Sequence, residues 1–251
     1  MALFNLSLYI FLSFVQNVID IERMLVVREL SLRLLIIWLI CIFLTGFFAL
    51  VARSIHLHTI TSFDDPIIDF VQGAETTWLT AIMKAFTTIG STAVVVLLAV
   101  FALAILLRLQ YRAQAILLVS VLAGTGILNQ VLKFIFKRER PDFYRLIEIT
   151  GYSFPSGHTM MAFSLYTILA YIVWRNLRFT WSRVVVVILA TVMIVMIALS
   201  RIYLGVHYPS DIVGGMLASM VWLIASIAMY QQFQHQRQSK TALSKERKSY
   251  R

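Results

Sequence analysis

The chain has 251 residues, of which 60% are hydrophobic and only 14% are charged, and its formal net charge at neutral pH is +10. Soluble domains carry about 25% charged residues, so this composition excludes a water-soluble globular protein and indicates an integral membrane protein. The single cysteine, Cys41, lies within an apolar run, which excludes an intrachain disulfide and a cysteine-based metal site.

Residues 1–19 are apolar, but five polar side chains interrupt them. They lack the basic start and the small-residue cleavage site of a signal peptide. We therefore interpret residues 1–23 as an N-terminal extension and favour an interfacial helix within it. A seventh membrane span, or an upstream extension with natural initiation at Met24, are the alternatives. The interrupting side chains are those of Asn5, Ser7, Ser13, Gln16 and Asn17.

Six apolar runs follow, each slightly shorter than the roughly 20 residues that cross a bilayer, so flanking residues must extend them. At this length only helices satisfy the backbone hydrogen bonds in lipid. We predict an all-α integral membrane protein, a six-transmembrane helix bundle forming one domain over residues 24–230. A basic tail, residues 231–251, is expected to be a mobile surface segment. The runs are Leu34–Val51, Thr92–Leu107, Ala113–Val131, Thr159–Trp174, Val184–Leu199 and Ile212–Tyr230.

The charged residues predict the orientation of this bundle in the membrane. If the six spans alternate, one side receives 14 of the 22 Lys and Arg residues and only four of the 12 acidic residues. The other side carries eight residues of each sign and is neutral. The positive-inside rule therefore places the first side, with both chain termini, in the cytoplasm.

Six of the eight basic residues on the predicted outer face lie at or between the outer ends of spans three to six. This concentration departs from the expectation for an outer loop, and it indicates an anionic ligand on that face. The six residues are Lys133, Lys137, Arg138, Arg140, Arg145 and Arg201.

The first motif on this face is KFIFKRERP, residues 133–141. Lys133 and Arg140 are two helical turns apart, so they share one face if the helix persists. Pro141 favours an extended Arg140, and we expect the helix to end there. An ammonium and a guanidinium both suit phosphate oxygens, although a simple interfacial basic cluster is the alternative interpretation.

The second motif is PSGH, residues 155–158, which precedes a long apolar run. Ser156 is a favourable N-cap, and Gly157 permits a close backbone approach. Free amides at a helix N-terminus bind anions, and His158 lies beside them. An ordinary helix cap with a surface histidine is the alternative.

The third motif is SRIYLGVHYPSD, residues 200–211. Arg201 ends the fifth span, and His207 and Asp211 stand four residues apart at the start of the sixth. In a helix the two share a face, where the carboxylate fixes the imidazole tautomer and raises its basicity. A structural His–Asp pair at an interface is the alternative.

Together the three motifs indicate phosphoryl transfer, because three separate loops bring cations, a helix N-terminus, two histidines and an aspartate to one membrane face. The cations and amides neutralise the charge of the transferred group. His207, oriented by Asp211, is the expected nucleophile and forms a phosphohistidine. His158 is expected to protonate the leaving oxygen and then to activate water; histidine titrates near neutrality, which suits both tasks. No metal or other cofactor is expected, because Lys133, Arg140 and Arg201 supply the positive charge.

The motifs K-x6-R-P, P-S-G-H and S-R-x5-H-x3-D together resemble the signature of the type-2 phosphatidic acid phosphatase superfamily, whose site the vanadium haloperoxidases share. All three motifs are complete and in order, and the resemblance covers about residues 60–230. It implies metal-independent hydrolysis with His207 as nucleophile, Asp211 as its partner and His158 as acid and base. The phosphate-binding residues that it implies are Lys133, Arg140, Ser156, Gly157 and Arg201.

Six spans and an outward-facing site resemble the bacterial membrane branch of this superfamily, the phosphatidylglycerophosphate and undecaprenyl-diphosphate phosphatases. The resemblance implies a hydrolase acting on the phosphate or diphosphate headgroup of an isoprenoid or glycerophospholipid in the outer leaflet. Undecaprenyl diphosphate is the favoured substrate, because prenyl-diphosphate carriers are released on that side. Phosphatidylglycerophosphate, phosphatidate and diacylglycerol diphosphate are the alternatives. No nucleic acid and no obligate protein partner is expected.

Two other classes of protein remain as alternatives. An intramembrane serine protease would use Ser156 with a histidine, but it would not need three phosphate-binding cations. An anion transporter would place its cations near the bilayer midplane, beside broken helices, whereas these cations lie at the ends of spans.

Residues 61–90 also fit a lipid substrate. Asp64, Asp65 and Pro66 can start a helix, and apolar residues then recur at near-helical spacing from Ile67 to Phe86. Such a helix would lie at the outer interface and flank an acyl or prenyl chain. A packing lid over the bundle is the equal alternative.

Overall fold

The computed structural model describes residues 32, 34–142 and 144–249, and it describes side-chain burial as far as residue 237. Within these ranges the chain is α-helical with connecting loops and contains no β-strand. The all-α prediction is therefore confirmed, whereas the predicted N-terminal extension, residues 1–23, lies outside the described residues. The helices are α1 (Leu34–His56), α2 (Thr61–Gln72), α3 (Thr77–Ile89), α4 (Thr92–Arg108), α5 (Arg112–Phe136), α6 (Gly157–Asn176), α7 (Thr180–Tyr203) and α8 (Pro209–Ser249).

The chain divides into two compact units, residues 1–42 and residues 43–251. In the described part of the chain, the first unit holds only the beginning of α1. The second unit holds the remainder of α1 and all of the other helices, and it contains the three motifs. The division into an extension, a phosphatase domain and a tail stays a prediction.

Most of the described helices are long and apolar enough to cross a membrane. Five helices are long and apolar enough by themselves: α1, α5, α6, α7 and residues 209–237 of α8. α4 has 17 residues and covers about 26 Å, which is less than the roughly 30 Å of a hydrocarbon core. It qualifies only together with α3, from which it is bent by 52°. The described residues therefore contain five or six candidate spans, and each of the six predicted runs lies within one helix.

The segment predicted as one interfacial helix forms two. α2 begins at Thr61, ahead of the predicted start, and ends at Gln72; α3 begins after Thr76, whose side chain accepts a hydrogen bond from the Leu79 amide at 3.4 Å. Large apolar side chains on both helices face outward, with Phe70 83% and Trp78 67% exposed. Exposed aromatic side chains beside polar ones are typical of helices at a membrane interface.

The centre of the second unit is formed by α5, α6 and α8. Val121 on α5 and Leu165 on α6 are fully buried there. α5 and α8 approach so closely at Gly124 that any side chain there would collide with the ring of Trp222. The Trp222 indole N–H donates to the Val121 carbonyl at 3.1 Å, which satisfies this polar group inside the apolar bundle.

The three motifs meet at one end of this bundle. α5 and α7 end there, and their packed neighbours α6 and α8 begin there. The loop before α6 is anchored by Phe154, which is fully buried, with its ring centroid 5.1 Å from that of Phe136 and 5.6 Å from that of Phe48. Aromatic contacts at these distances are favourable, so they hold the PSGH motif beside the end of α5.

The tail is helical, because α8 continues without a break as far as Ser249, and its mobility at the surface stays a prediction. Residues 231–249 contain neither glycine nor proline and are rich in Gln, Lys and Arg. These residues have high helix propensity, so nothing in the sequence ends the helix at the membrane boundary.

Candidate active site

His207 and Asp211 form a buried pair where the loop after α7 enters α8. Asp211 lies in the first turn of α8, and its Oδ2 is 3.2 Å from His207 Nδ1. The same oxygen accepts hydrogen bonds from the Ser153 hydroxyl and, at 2.9 Å, from the Tyr208 amide. The other ring nitrogen of His207, Nε2, lies 3.2 Å from Arg140 Nη1.

These contacts assign the tautomer of His207. A carboxylate only accepts hydrogen bonds and a guanidinium only donates them. Nδ1 therefore carries the proton that Asp211 accepts, and Nε2 presents its lone pair toward Arg140. An imidazole held in this way has its free nitrogen available as a nucleophile.

Burial lowers the pKa of His207 to about 4 from its ordinary value of 6.5. The hydrogen bond and the charge of Asp211 oppose this change, whereas the cationic Arg201 and Arg140 add to it. Histidine titration near neutrality was expected from the sequence; instead, an apolar site rich in cations disfavours the imidazolium. His207 is consequently neutral throughout the ordinary range of pH.

Arg140 reaches the pair from an extended loop and not from a helix. α5 ends at Phe136, and Lys137 follows in the left-handed region with φ 45°, so the helix does not persist as far as Arg140, which is extended as Pro141 predicts. The Arg140 guanidinium donates to the carbonyls of Val206 at 2.8 Å and Gly151 at 2.9 Å. Burial and the nearby Arg145 lower the pKa of Arg140, while Asp211 raises it.

Two further predicted cations belong to the same cluster. Lys133, in the last turn of α5, interacts electrostatically with Arg140, Arg201 and Asp211. Arg201 is almost completely buried near the end of α7, and its Nη1 donates to the Thr87 hydroxyl of α3. Arg201 Nε is also buried and has no hydrogen-bond partner within the described part of the chain. An unsatisfied buried donor beside two other cations is suited to bind an anionic oxygen.

The PSGH motif forms the N-terminus of α6, as predicted. Ser156 is the N-cap, but its side chain accepts from the Thr159 hydroxyl at 3.0 Å and makes no hydrogen bond to the backbone of the helix. Gly157 packs closely against α5, because a Cβ there would lie 3.0 Å from Asn129 Oδ1 and the Asn129 side chain would have to shift. His158 follows in the first turn and interacts electrostatically with His207 and with all three cations, Lys133, Arg140 and Arg201.

The structure therefore brings every predicted site residue to one end of the bundle. It also brings in side chains to which the sequence analysis gave no role in the site. These are Ser153, Ser210, Arg138 and Asp64, which hydrogen-bond with Asp211 or with one another. Arg138 was recognisable as one of the clustered basic residues. Its hydrogen-bond partners lie on other elements, so no local sequence spacing indicates them.

No group of three or more His, Cys, Asp or Glu side chains is arranged to hold a metal ion among residues 34–142 and 144–249. The candidate site contains two histidines, His158 and His207, and the carboxylate of Asp211. Three cations, those of Lys133, Arg140 and Arg201, lie beside them. Cations disfavour a bound metal ion by direct repulsion.

Comparison with known proteins shows the family of the chain. The matching family is described as the PAP2 superfamily, and its match covers residues 114–235. Phosphatidylglycerophosphatase B of Bacillus subtilis strain 168 is 34% identical over 170 residues, which are 67% of this chain and 84% of that protein. YbjG of Escherichia coli strain K12, which is provisionally named an undecaprenyl-diphosphatase, is 33% identical over 133 residues, 49% of this chain and 61% of that protein.

Solved structures agree with this assignment. A crystal structure described as the first transmembrane PAP2 type phosphatidylglycerolphosphate phosphatase, from Bacillus subtilis, matches with a TM-score of 0.72 and 30% identity, over 76% of this chain and 96% of that one. Aquifex aeolicus LpxE matches in fold, with a TM-score of 0.54 and 24% identity, over 66% of this chain and 94% of that one. The chain therefore belongs to the PAP2 superfamily and is a multi-pass membrane phosphatase, a hydrolase that acts on phosphoric esters.

Proposed function

We propose that the protein hydrolyses the phosphate or diphosphate headgroup of a membrane lipid in the outer leaflet through a phosphohistidine on His207. One observation carries this proposal. His207 Nε2 presents its lone pair to Arg140 at 3.2 Å while Asp211 holds Nδ1, so an anionic phosphoryl group that binds the guanidinium lies against the nucleophile. A phosphoryl group positioned against the nucleophile in this way makes the attack effectively unimolecular.

In the first step, His207 Nε2 attacks the terminal phosphorus, the P–N bond forms and the bond to the leaving oxygen breaks. The bound anionic headgroup offsets the cations beside His158 and favours its imidazolium, which donates a proton to that oxygen. The cationic side chains and the Gly157 amide at the start of α6 stabilise the negative charge on the phosphoryl oxygens, whereas the Ser156 amide already donates to the Asp211 carbonyl at 3.2 Å. The cationic side chains are those of Lys133, Arg140 and Arg201.

In the second step, His158, now neutral, takes a proton from a water molecule. The hydroxide attacks phosphorus, the P–N bond breaks and inorganic phosphate leaves, which restores neutral His207 and protonated His158. Three cations around the phosphoryl group supply the charge stabilisation that a divalent metal supplies in other phosphatases. The proposal therefore includes no metal.

We propose six spans, with α3 and α4 together crossing the membrane once. This number places both termini on the same side, where 14 of the 22 Lys and Arg residues collect, and the positive-inside rule makes that side the cytoplasm. The end of the bundle that carries His207 then faces outward. Five spans would put the two termini on opposite sides and divide the Lys and Arg residues 13 to nine, a weaker asymmetry than 14 to eight.

We propose undecaprenyl diphosphate as the leading substrate, because prenyl-diphosphate carriers are released on the outer side. Phosphatidylglycerophosphate is the second candidate, and a specific observation favours it. The relative with 34% identity over 84% of its own length is named phosphatidylglycerophosphatase B. Phosphatidate and diacylglycerol diphosphate are further candidates, and one enzyme can accept several of these headgroups.

The contacts of Ser156 argue against a serine protease. A nucleophilic serine donates to a general base, but the Ser156 hydroxyl is buried and accepts from Thr159. The position of the cations argues against an anion transporter, because Lys133, Arg140 and Arg201 lie at the ends of helices or in a loop.

Phosphate release by the purified protein in detergent with EDTA tests the proposal. We expect wild type to release phosphate from undecaprenyl diphosphate, phosphatidylglycerophosphate or phosphatidate at a rate that EDTA does not change. The order of kcat/KM values identifies the preferred headgroup, and a His207→Ala preparation gives the background. No release from any of the lipids, or release that stops with EDTA and returns with Mg²⁺, would contradict it.

The pH dependence of kcat/KM gives a second prediction. A pKa of about 4 keeps His207 unprotonated until the solution becomes strongly acidic, whereas an ordinary value of 6.5 would protonate it in mild acid. We therefore expect the part of the acid limb that His207 controls to lie near pH 4 and kcat/KM to persist at about pH 5. Phosphate headgroups themselves titrate at about pH 6, so the profile is corrected for the measured titration of each lipid before a limb is assigned to the enzyme. A limb near pH 6.5 that remains after this correction would show that His207 is not buried as described.

A further inference from the structure

Arg138 connects two buried carboxylates. Its Nη1 donates to Asp211 Oδ1 at 2.7 Å, and its Nη2 donates to Asp64 Oδ2 at 3.0 Å. Its guanidinium carbon also lies 3.9 Å from the centre of the Tyr208 ring, where a cation–π contact is favourable. Only 13% of the Arg138 side chain is exposed, and the two carboxylates are 1% exposed or less. The planar fork of arginine suits such a bridge, because each terminal nitrogen can face a different acceptor.

Asp64 extends this bridge to α2. Its Oδ1 accepts from the Ser210 amide at 2.8 Å, and its Oδ2 accepts from the Ser210 hydroxyl at 2.6 Å. The Ser210 hydroxyl in turn accepts from Arg138 Nη1 at 2.8 Å. Asp64 is therefore tied both to the start of α8 and to the arginine that holds Asp211.

The hydrogen bonds of Asp211 are divided between its two oxygens. Oδ2 faces the site and accepts from His207, Ser153 and the Tyr208 amide, whereas Oδ1 accepts from Arg138. Carboxylate rotation about the terminal torsion of aspartate is soft, so donors on one oxygen alone leave the plane loosely held. Arg138 supplies the contact to the second oxygen. Its carbonyl also accepts from the Ser153 amide at 2.8 Å, which places one of the donors to Oδ2.

We infer that Arg138, held by Asp64, is a positioning residue that fixes the Asp211 carboxylate and thereby the nucleophilic tautomer of His207. This inference rests on the proposed function. Arg138 differs from Arg140 in its role, because both of its terminal nitrogens are occupied by carboxylates and neither faces the lone pair of His207. It acts on the reacting nitrogen through Asp211 and does not contact the phosphoryl group.

Arg138→Lys is the principal test, because it keeps the positive charge but offers a single point of contact that cannot serve Asp211 and Asp64 together. We expect kcat to fall about 10- to 100-fold, the loss typical of removing a group that orients a catalytic ligand. KM should stay within about twofold, because the phosphate-binding cations are intact. Arg138→Gln should lower kcat further, since it leaves two buried carboxylates without a cation.

The pH profile separates this role from a purely structural one. In Arg138→Gln the charge of Asp211 is no longer shared with a guanidinium, so it stabilises the imidazolium more strongly and the pKa of His207 rises. The acid limb of kcat/KM should therefore move to higher pH. The other charged or titratable groups that face His207 are Arg140, Arg201 and His158, and all three are unchanged in this variant. An arginine that only stabilised the fold would lower the yield of enzyme and leave the limb in place.

A double-mutant cycle tests the part played by Asp64. Asp64→Asn alone should lower kcat in the same direction as Arg138→Lys, because it weakens the hold on the guanidinium. In the Arg138→Gln background the same change should alter kcat by less than about twofold, since its route to Asp211 is already lost. Independent, multiplicative losses would contradict the connection through Arg138.

Lys137→Gln is the matched control, because it removes one positive charge from the neighbouring exposed residue and should leave kcat and the acid limb unchanged. Each variant is compared as monodisperse protein of measured melting temperature. A normal kcat in folded Arg138→Lys and Arg138→Gln, or a raised KM with unchanged kcat, overturns the inference. The proposed function still stands in that case if wild type is active and His207→Ala is inactive. An inactive wild type overturns both.

Discussion

Replacing His207 with alanine is expected to abolish phosphate release, lowering kcat by about 10⁴-fold or more. The variant removes the only nitrogen lone pair that the described contacts place against Arg140, so the P–N bond cannot form. The cations of the pocket remain, and the substrate should still bind. A large loss of kcat with a nearly unchanged affinity for lipid is therefore the expected signature.

Trapping the intermediate gives the most direct measurement. Wild type, mixed with lipid that carries a radiolabelled terminal phosphate and quenched within one turnover, should retain label as an alkali-stable, acid-labile phosphoramidate. His207→Ala should retain none. His56→Ala is the control, because His56 is an exposed histidine at the end of α1 and should leave label and turnover unchanged. Label on His207→Ala, or turnover close to that of wild type, would show that another residue attacks phosphorus.

The helices and the set of site residues could largely be predicted from the sequence. Long apolar runs specify membrane helices strongly, because unsatisfied backbone groups are costly in lipid, and each predicted run lies in one helix. Site residues such as His207 and Asp211 were accessible because they stand four residues apart at a helix start. Local spacing is enough to bring such groups together.

Contacts between distant segments could not be predicted in this way. Asp64 and Ser210 are separated by 146 residues, yet Asp64 accepts from both the amide and the hydroxyl of Ser210. The side of a helix that faces a partner depends on the packing of the whole bundle. Asp64 was accordingly interpreted only as part of a helix start, and its buried contact with Arg138 was missed.

Local backbone geometry limited the prediction elsewhere. Lys133 and Arg140 would share a helical face only if the helix persisted to Arg140, but the left-handed residue Lys137 ends α5 before the second cation. A lysine with positive φ is uncommon, and a lysine side chain does not predict a left-handed residue that ends a helix. The two cations still interact electrostatically. The extended loop brings Arg140 to the carbonyls of Val206 and Gly151, which accept its hydrogen bonds.

A His158→Ala variant is expected to separate the two steps of the reaction. Loss of a general acid or base costs about 10²- to 10⁴-fold, but the cost of the first step depends on the leaving oxygen. A lipid monophosphate releases a strongly basic alkoxide and needs the proton, so its cleavage should nearly stop. A lipid diphosphate releases a phosphomonoester, which is far less basic, so attack by His207 should continue without His158.

The second step requires a base to activate water with either substrate, so it should be slow in both cases. With undecaprenyl diphosphate, His158→Ala should therefore release about one lipid monophosphate per enzyme and then stall with phosphate on His207. With phosphatidate it should give neither a burst nor label. Rapid-quench measurement of both products decides between these outcomes, and His56→Ala again serves as the control. Equal losses for the two substrates without a burst would show that His158 does not act as the proton donor, and continued turnover of the diphosphate would show that another group activates water.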